Sequence, residues 1–307
     1  DLNGDRQKVL AIVGPTGIGK TSLSVWLAKQ LNGEIISCDS MQVYKKMDVG
    51  TAKVTKEEMQ DIHHELIDVQ NYDEPYNVKV FQEKCRTAIE DVVKRGKFPI
   101  LCGGTGLYLK AALYDYEFQE ENEDIAYTAF LNSKTNEELV AMLKEKDEKA
   151  LEKIHPNNRK RLIRALQICH SGTSKSEQED KQQHIPLYDV YFLGLDVDRD
   201  ILHDRINKRV DIMFENGLVK EVEDLFTNPE TWEYTSFQGI GYKEFKDYFL
   251  KEKSIDEVNT AIKTHSRQYA KRQYTWFKNQ MPVHWFEAQN RDEIYSEVKE
   301  WLMDEDK

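Results

Sequence analysis

The sequence GPTGIGKT at residues 14–21, directly after the apolar run VLAIV at 9–13, is the feature that most restricts the fold. It satisfies the phosphate-loop pattern G-x-x-x-x-G-K-[ST], and residues 21–31 carry apolar side chains at helical spacing. A strand, a glycine-rich loop and a helix in this order place backbone N–H groups around anionic oxygens. Lys20 adds a positive charge there, and the Thr21 hydroxyl is placed to bind Mg²⁺. The pattern indicates a ligand with phosphoryl groups but does not identify it.

Strand and helix signals alternate along the chain. Apolar, strand-like segments occur at 34–38, 98–105 and 188–197, and a helical pattern runs from 78 to 93. Because such alternation forms βαβ units, we expect an α/β fold in which helices flank a mostly parallel sheet, as in P-loop NTPases.

A change of pattern interrupts this alternation. Residues 126–170 show only helical periodicity, and 171–183 are polar, as in a mobile loop. We therefore predict an inserted all-helical domain at 115–185 and an α/β catalytic core formed by 1–114 and 186–307.

Composition limits the classes of protein that remain. A formal net charge of −12 argues against a protein that coats nucleic acid non-specifically, although a local basic site on an acidic body is still allowed. The four cysteines are scattered without a C-x-x-C pair, which excludes a Cys-pair zinc site and gives no disulfide framework. No run approaches the roughly 18 apolar residues of a membrane helix, and the N-terminus lacks the apolar core of a signal peptide. We expect a cytoplasmic protein, without membrane contact, that is a monomer by default.

Polar residues follow the second strand in the segment CDSMQVY at 38–44. Since the carboxyl ends of the strands in an α/β sheet form the ligand crevice, Asp39 should face the same crevice as Lys20. A carboxylate there binds Mg²⁺ or accepts a proton, and the alternative is an Asp that caps a helix. Gln42 and Tyr44 supply an amide and an aromatic face suited to a nucleobase.

Two further motifs are weaker signals. The segment GGTGLY at 103–108 also follows a strand, so its glycines allow close backbone approach and Thr105 offers a hydroxyl, but a tight turn explains it equally well. His63 and His64 are adjacent and cannot share one helical face, which favours a polar structural corner over a metal site.

Two segments, 153–176 and 258–286, contain no acidic residue and are rich in Lys and Arg. On a helix, Lys263, Arg267 and Lys271 form one basic stripe, and aromatic residues lie between the basic ones. This mixture suits an RNA backbone with splayed-out bases, whereas the alternative is a solvated helix face. Arg267 or Arg272 is also able to neutralise phosphate in the crevice.

Taken in order, seven segments carry a resemblance that covers nearly the whole chain: GPTGIGKT, IISCDSMQVYKKMDVGTAK, HHELID, CGGTGLYLKAAL, IHPNNRKRLIRAL, GIGYKE and SRQYAKRQYTWFK. They resemble the bacterial tRNA dimethylallyltransferases, also called tRNA isopentenyltransferases. Members of that family transfer a dimethylallyl group from dimethylallyl diphosphate to N6 of the adenosine on the 3′ side of the anticodon.

The resemblance implies roles for individual residues of the crevice. Asp39 matches the general base, Thr105 matches the threonine that positions the adenine, and Thr21 matches the hydroxyl associated with Mg²⁺. Lys20, with Arg267 or Arg272, is expected to neutralise the diphosphate. The loop that cradles this group is formed by Gly14, Pro15, Thr16, Gly17, Ile18, Gly19, Lys20 and Thr21.

The resemblance also implies positions that meet the tRNA. Besides Asp39 and Thr105 these are Ser40, Met41 and Gln42, together with Lys160, Arg161, Leu162, Ile163 and Arg164. The helical insertion is then expected to clamp the anticodon stem-loop.

Other classes remain open at this point. The acceptor is a free adenine nucleotide in cytokinin-forming relatives of the family, and the basic insertion argues for tRNA instead. A small-molecule kinase with a phosphate loop would bind ATP. An RNA-binding, GTPase-like switch would need an N-K-x-D-type element after a strand, and the sequence has none there.

Overall fold

The computed structural model describes residues 6–117, 125–170 and 185–304. Its strands are β1 (Lys8–Val13), β2 (Gly33–Ser37), β3 (His64–Glu65), β4 (Phe98–Gly103), β5 (Asp189–Asp196) and β6 (Val283–Glu287). They form a six-stranded sheet in the order β3-β2-β4-β1-β5-β6, and every neighbouring pair is parallel. The predicted parallel α/β sheet is confirmed, and β3 and β6 are strands that the sequence did not reveal.

Helices connect and cover the strands. They are α1 (Lys20–Leu31), α2 (Lys56–Met59), α3 (Val78–Lys94), α4 (Gly106–Leu113), α5 (Ile125–Asn132), α6 (Asn136–Leu151), α7 (Arg159–His170), α8 (Arg199–Glu215), α9 (Leu218–Leu225), α10 (Phe245–Phe249), α11 (Ile255–Gln280) and α12 (Arg291–Met303). Across the described ranges, no helix is long and apolar enough to span a membrane.

The central strand β1 is buried on both faces. Val9, Ala11 and Val13 belong to one hydrophobic core. Leu10 and Ile12 belong to another. Because side chains alternate along a strand, β1 joins the two apolar layers, which explains why the sequence here is a continuous apolar run.

The register of the sheet brings three loops together. Val13 lies opposite Gly103 of β4 on one side and Gly194 of β5 on the other. Ser37 at the end of β2 lies opposite Cys102. The phosphate loop and the segments that begin at Cys38 and Gly104 therefore leave the sheet at the same edge.

The chain divides into two compact units, Asp1–Tyr114 with Pro186–Lys307 and Asp115–Ile185. These bounds coincide with those that the change in sequence pattern indicates. The smaller unit contains α5, α6 and α7 around a core that includes Leu139, Leu143 and Leu162. The mobile loop expected at 171–183 lies outside the described residues.

One predicted RNA contact in the smaller unit needs correction. The side chain of Leu162 is fully buried, and Ile163 packs against the same core. The reason is the spacing of apolar residues on α7, which turns Leu162 inward with Ala165 and Leu166. Lys160 and Arg161 are exposed, so these two basic side chains are open to a partner and the Leu162 side chain is not.

We predict that Leu162→Ala lowers the free energy of unfolding of the helical unit by about 2–5 kcal/mol, because it leaves a cavity in a small core. Lys160→Ala, on the exposed face of the same helix, is expected to stay within about 0.5 kcal/mol of the parent protein. Urea unfolding followed by far-ultraviolet circular dichroism measures both. Equal effects of the two substitutions would contradict the assignment of Leu162 to the core.

Candidate active site

A cavity of about 630 Å³ opens in the larger unit where the phosphate loop and the segments after β2 and β4 meet. Helices α8 and α11 form further parts of its wall, together with residues of the segments 50–67 and 238–243. Residues of each contributing segment line it, including Lys20, Thr21, Asp39, Ser40, Met41, Gln42, Thr105, Arg209, Tyr269, Arg272 and Gln273. The structure thus brings Lys20, Asp39 and Thr105 into one cavity, as expected from the position of each residue after a strand.

The phosphate loop has the backbone that its glycines permit. Gly14, Gly17 and Gly19 have φ angles of 135°, 84° and 99°, a region that side-chain-bearing residues rarely adopt. Gly19 is the N-cap of α1, and no side chain of the described residues caps that helix. The first N–H groups of α1 are therefore open to an anion.

The predicted loop residues divide into two groups. Thr16, Gly17, Gly19, Lys20 and Thr21 line the cavity, whereas Gly14, Pro15 and Ile18 do not. The Ile18 side chain is 1% exposed and belongs to a hydrophobic core. Ile18 thus anchors the loop, and only its backbone is able to face a ligand.

Lys20 is held by the loop itself. Its Nζ donates hydrogen bonds to the carbonyl oxygens of Gly14 at 2.6 Å and Pro15 at 2.8 Å. Burial lowers the pKa of Lys20 from 10.5 to about 8, and the nearby Arg209 contributes to this decrease. The loop carbonyls stabilise the ammonium group of Lys20 only in part, and a bound anion would provide the missing negative charge.

Asp39 has one oxygen engaged and one available. Its Oδ1 accepts hydrogen bonds from the backbone N–H groups of Met41 at 2.7 Å and Gln42 at 3.0 Å. Within the described ranges, its Oδ2 accepts no protein hydrogen bond. Asp39 therefore caps a local turn and not a helix, which was the alternative left open by the sequence, and this turn orients the carboxylate in the cavity wall.

A polar group from α11 faces the Thr105 segment. Gln273 donates from Nε2 to the Gly104 carbonyl at 2.7 Å, while its buried Oε1 has no partner among the described residues. A Cβ on Gly104 would lie 2.3 Å from that Nε2, so only glycine allows this approach. An unpaired buried acceptor costs roughly 1–3 kcal/mol, which a ligand N–H group would recover.

Tyr269, one helical turn before Gln273, faces the same place. Burial and the Asp39 carboxylate raise the pKa of the Tyr269 phenol, whereas Thr105 and Arg272 act in the opposite direction. The tyrosine thus stays protonated and able to donate a hydrogen bond beside Thr105.

Arg209 on α8 is a site residue that the sequence did not reveal. It lines the cavity, and its buried Nε has no hydrogen-bond partner among the described residues. Burial lowers the pKa of Arg209, while Asp39 and Glu58 raise it. An arginine that faces a phosphate loop without a fixed partner is suited to an anionic ligand. In sequence, basic residues in 199–215 look like a solvated helix face, and only the apolar spacing of Leu202, Ile206 and Val210 hints at the buried side.

Arg267 and Arg272 are the two arginines that the sequence offers for the diphosphate. Arg267 does not line the cavity, since its guanidinium donates to Asn207 Oδ1 at 2.6 Å and Thr264 Oγ1 at 3.4 Å. Lys263, one turn earlier, forms an ion pair with Asp211 at 2.7 Å. This part of the predicted basic stripe packs against α8. Arg272 does line the cavity, with its guanidinium 5.6 Å from the centre of the Tyr269 ring.

Thr21 is the residue expected to bind Mg²⁺. Thr21 lines the cavity beside Lys20. Among the described residues, no three His, Cys, Asp or Glu side chains are grouped closely enough to hold a metal ion. Mg²⁺ in phosphate sites keeps several waters and takes few protein ligands besides the substrate oxygens. The Thr21 hydroxyl fits such a shared site.

The adjacent histidines face different surroundings. His64 lines the cavity and its Nδ1 donates to the Ile62 carbonyl at 2.9 Å. Burial lowers the pKa of His64, which favours the neutral ring. His63 instead pairs with Glu65 at 3.0 Å.

We predict that the affinity for inorganic diphosphate falls as pH rises through about 8. Free Lys20 loses its charge above its lowered pKa. Bound diphosphate would keep the ammonium group protonated, so binding above that pH requires Lys20 to take up a proton. The decrease is up to about tenfold per pH unit. Calorimetric titration from pH 7 to 9.5 measures it, with Lys20→Gln as the control for titration of the ligand itself. A constant ratio of the two affinities over this range would contradict the assignment.

Comparison with known proteins places this geometry in a family. The sequence model of the family described as IPP transferase matches residues 42–280. The chain is 48% identical over 302 residues to a tRNA dimethylallyltransferase of Bacillus cereus, covering 97% of this chain and 95% of that protein. A tRNA dimethylallyltransferase of Bacillus anthracis is also 48% identical and is covered to 96%.

Solved structures agree with these relatives. The tRNA isopentenylpyrophosphate transferase from Bacillus halodurans superimposes with a TM-score of 0.74 at 41% identity, with 97% of both chains covered. A eukaryotic dimethylallyltransferase acting on tRNA gives a TM-score of 0.81 at 31% identity over 96% of this chain and 77% of that one. The resemblance drawn from the seven motifs is confirmed: the chain belongs to the IPP transferase family, which includes the tRNA dimethylallyltransferases.

Proposed function

We propose that this protein transfers a dimethylallyl group from dimethylallyl diphosphate to N6 of the adenosine 3′-adjacent to the anticodon in tRNA and releases diphosphate. The observation that carries the proposal is the shared cavity of a phosphate loop and Asp39. The phosphate loop is suited to bind a leaving anion, and Asp39 is suited to accept a proton. The named activities of the relatives support this substrate pair.

The leaving group is the first requirement of the reaction. An adenine N6 is a weak nucleophile, so the donor carbon–oxygen bond breaks readily only if charge on the departing diphosphate is stabilised. The N–H groups at the start of α1, the ammonium group of Lys20 and the guanidinium group of Arg209 provide this stabilisation. Arg272 at the cavity edge is a further cation for the same group.

Mg²⁺ is the cofactor we propose for this site. The Thr21 hydroxyl would hold it together with diphosphate oxygens. When bound, the ion neutralises charge on the leaving group.

Asp39 is the proposed general base. As N6 forms its bond to the allylic carbon and the carbon–oxygen bond breaks, the proton lost from N6 passes to Oδ2 of Asp39. Since Oδ1 is held by the N–H groups of Met41 and Gln42, the free oxygen keeps a fixed direction. The same carboxylate would also stabilise positive charge on the allylic carbon.

The adenine is held by groups from two elements. The unpaired Oε1 of Gln273 accepts an N–H, and the Thr105 hydroxyl and the Tyr269 phenol supply further polar contacts. The base has to leave its stack to reach this cavity, which costs a few kcal/mol. Ser40, Met41 and Gln42, which line the cavity, are the proposed contacts to the neighbouring nucleotides.

The helical unit is the proposed binding surface for the anticodon stem-loop. Lys160 and Arg161 are exposed at the start of α7, a stretch without acidic residues. Such residues suit phosphate contacts along an RNA strand. We propose a monomer that acts in the cytoplasm, where tRNA is found.

We predict that Asp39→Asn reduces prenyl transfer by at least about 100-fold, because the amide keeps the shape of the turn but accepts no proton at neutral pH. Binding of a tRNA stem-loop and of inorganic diphosphate should change less than about threefold. Single-turnover transfer with labelled donor measures the first quantity, and fluorescence anisotropy and calorimetry measure the others. A parallel loss of transfer and binding would make Asp39 a binding or structural residue.

We predict that Lys160→Gln with Arg161→Gln weakens stem-loop binding and lowers the slope of log affinity against log salt by about 1 to 2. The control is Lys94→Gln with Lys97→Gln, which removes the same charge beside the start of β4, at the sheet edge opposite the cavity. Anisotropy titrations between 50 and about 300 mM salt test both variants. An unchanged slope in the first variant would remove α7 from the RNA site.

A further inference from the structure

Glu221 on α9 is an acidic residue outside the cavity that receives hydrogen bonds from distant parts of the chain. Its Oε1 accepts from the backbone N–H groups of Asp48 and Val49, both at 2.8 Å. Its Oε2 accepts from the N–H of Gly50 at 3.1 Å and from the Tyr242 hydroxyl at 2.8 Å. A single carboxylate therefore fixes three consecutive backbone amides.

These contacts suit a charged acceptor. Hydrogen bonds to an ionised carboxylate are about twice as strong as neutral ones. Burial and the Glu221 carboxylate together raise the pKa of Tyr242 well above its ordinary value, so its hydroxyl remains a donor. Tyr242, which belongs to the GIGYKE stretch, thus helps to hold Glu221 against the 48–50 turn.

The turn held by Glu221 continues into the cavity. Ala52 donates its N–H to the Val49 carbonyl at 3.0 Å, which closes the turn. The carbonyl oxygens of Thr51 and Ala52 accept from Gln42 Nε2 at 3.2 and 3.4 Å. The backbone N–H of Gln42 in turn donates to Asp39 Oδ1 at 3.0 Å. Hydrogen bonds joined by the backbone of residues 48–52 and by Gln42 therefore connect Glu221 to the carboxylate in the cavity.

A second anchor keeps the segment folded independently of Glu221. Lys53 donates from Nζ to the Tyr44 carbonyl and to Asp48 Oδ1, both at 2.7 Å, and also pairs with Asp68. Lys53 ties the segment to itself, whereas Glu221 ties it to α9. Loss of Glu221 is therefore expected to loosen the path and not to unfold the segment.

We propose that Glu221 is a positioning residue for group transfer, which orients the Asp39 carboxylate through the 48–52 turn and Gln42. This inference rests on the proposed function. Glu221 does not line the cavity, so its loss is expected to affect the rate of transfer and not the binding of the diphosphate.

The test compares Glu221→Ala with Glu223→Ala, an exposed residue two positions later on the same helix with the same charge. Hydrogen–deuterium exchange of the amides of residues 41–42 and 48–50 is the first measurement. We expect faster exchange at both places in Glu221→Ala and in neither place in Glu223→Ala. Faster exchange confined to 48–50 would overturn the proposed path to Asp39.

Kinetics are the second measurement. We expect kcat of Glu221→Ala to fall by at least about tenfold, because small misplacements of a reacting group are costly. The dissociation constant for inorganic diphosphate should change less than about twofold, since loop 14–21 is not on the path. Unchanged kcat, or equal losses in kcat and diphosphate binding, would overturn the assignment as a positioning residue.

Tyr242→Phe provides an independent variant if Glu221→Ala fails to fold. It removes one of the four hydrogen bonds to Glu221 and keeps the buried ring. We expect a smaller loss of kcat in the same direction, again without loss of diphosphate binding, and an unchanged kcat would overturn the proposal. Absence of prenyl transfer by the parent protein would contradict the proposed function itself, and the exchange data would then still decide whether Glu221 orders residues 41–42.

Discussion

The parallel pairing of β1 with β4 and of β4 with β2 is the constraint on which the site depends. Because Val13 lies opposite Gly103, and Ser37 opposite Cys102, the chain leaves all three strands at one edge. A shift of one residue in either pairing would turn buried side chains to the wrong face of the sheet. The phosphate loop, Asp39 and Thr105 share a cavity because the sheet has this register.

The phosphate loop alone does not choose between a leaving diphosphate and a transferred phosphate. Its N–H groups, Lys20 and Thr21 bind either kind of anion. Three groups surround the loop: an oriented carboxylate, the Arg209 guanidinium, whose Nε has no hydrogen-bond partner among the described residues, and a polar wall from α11 that offers Gln273 Oε1. Anion binding and proton acceptance in one cavity suit transfer of a hydrocarbon to a nitrogen, and the named activities of the relatives favour this reaction over transfer of a phosphate.

Much of the fold was predictable because its signals are local. β1, the loop and α1 follow from an apolar run, a glycine pattern and helical spacing, and Asp39 follows from its place after a strand. β3 and β6 were missed because β3 has two residues and β6 is not fully buried. The sequence also could not tell which basic residues face the cavity, since that depends on how α8 and α11 pack. Of the two arginines offered for the diphosphate, Arg267 contacts Asn207 and only Arg272 lines the cavity, while Arg209 lies on a helix whose basic residues look solvated in sequence. Glu221 acts at a distance of more than 170 residues along the chain, where no local pattern applies.

In the proposed reaction, the loop holds the diphosphate of the donor. This diphosphate departs while the hydrocarbon is transferred to RNA. The most direct test incubates the protein and Mg²⁺ with dimethylallyl diphosphate labelled in the prenyl group and an unmodified anticodon stem-loop, and measures labelled RNA and free diphosphate together. We expect equal amounts of labelled RNA and free diphosphate. The label should lie on N6 of the adenosine 3′-adjacent to the anticodon, and none on adenosine monophosphate supplied as a competitor. Label on the free nucleotide, or phosphate transfer from ATP without prenyl transfer, would contradict it.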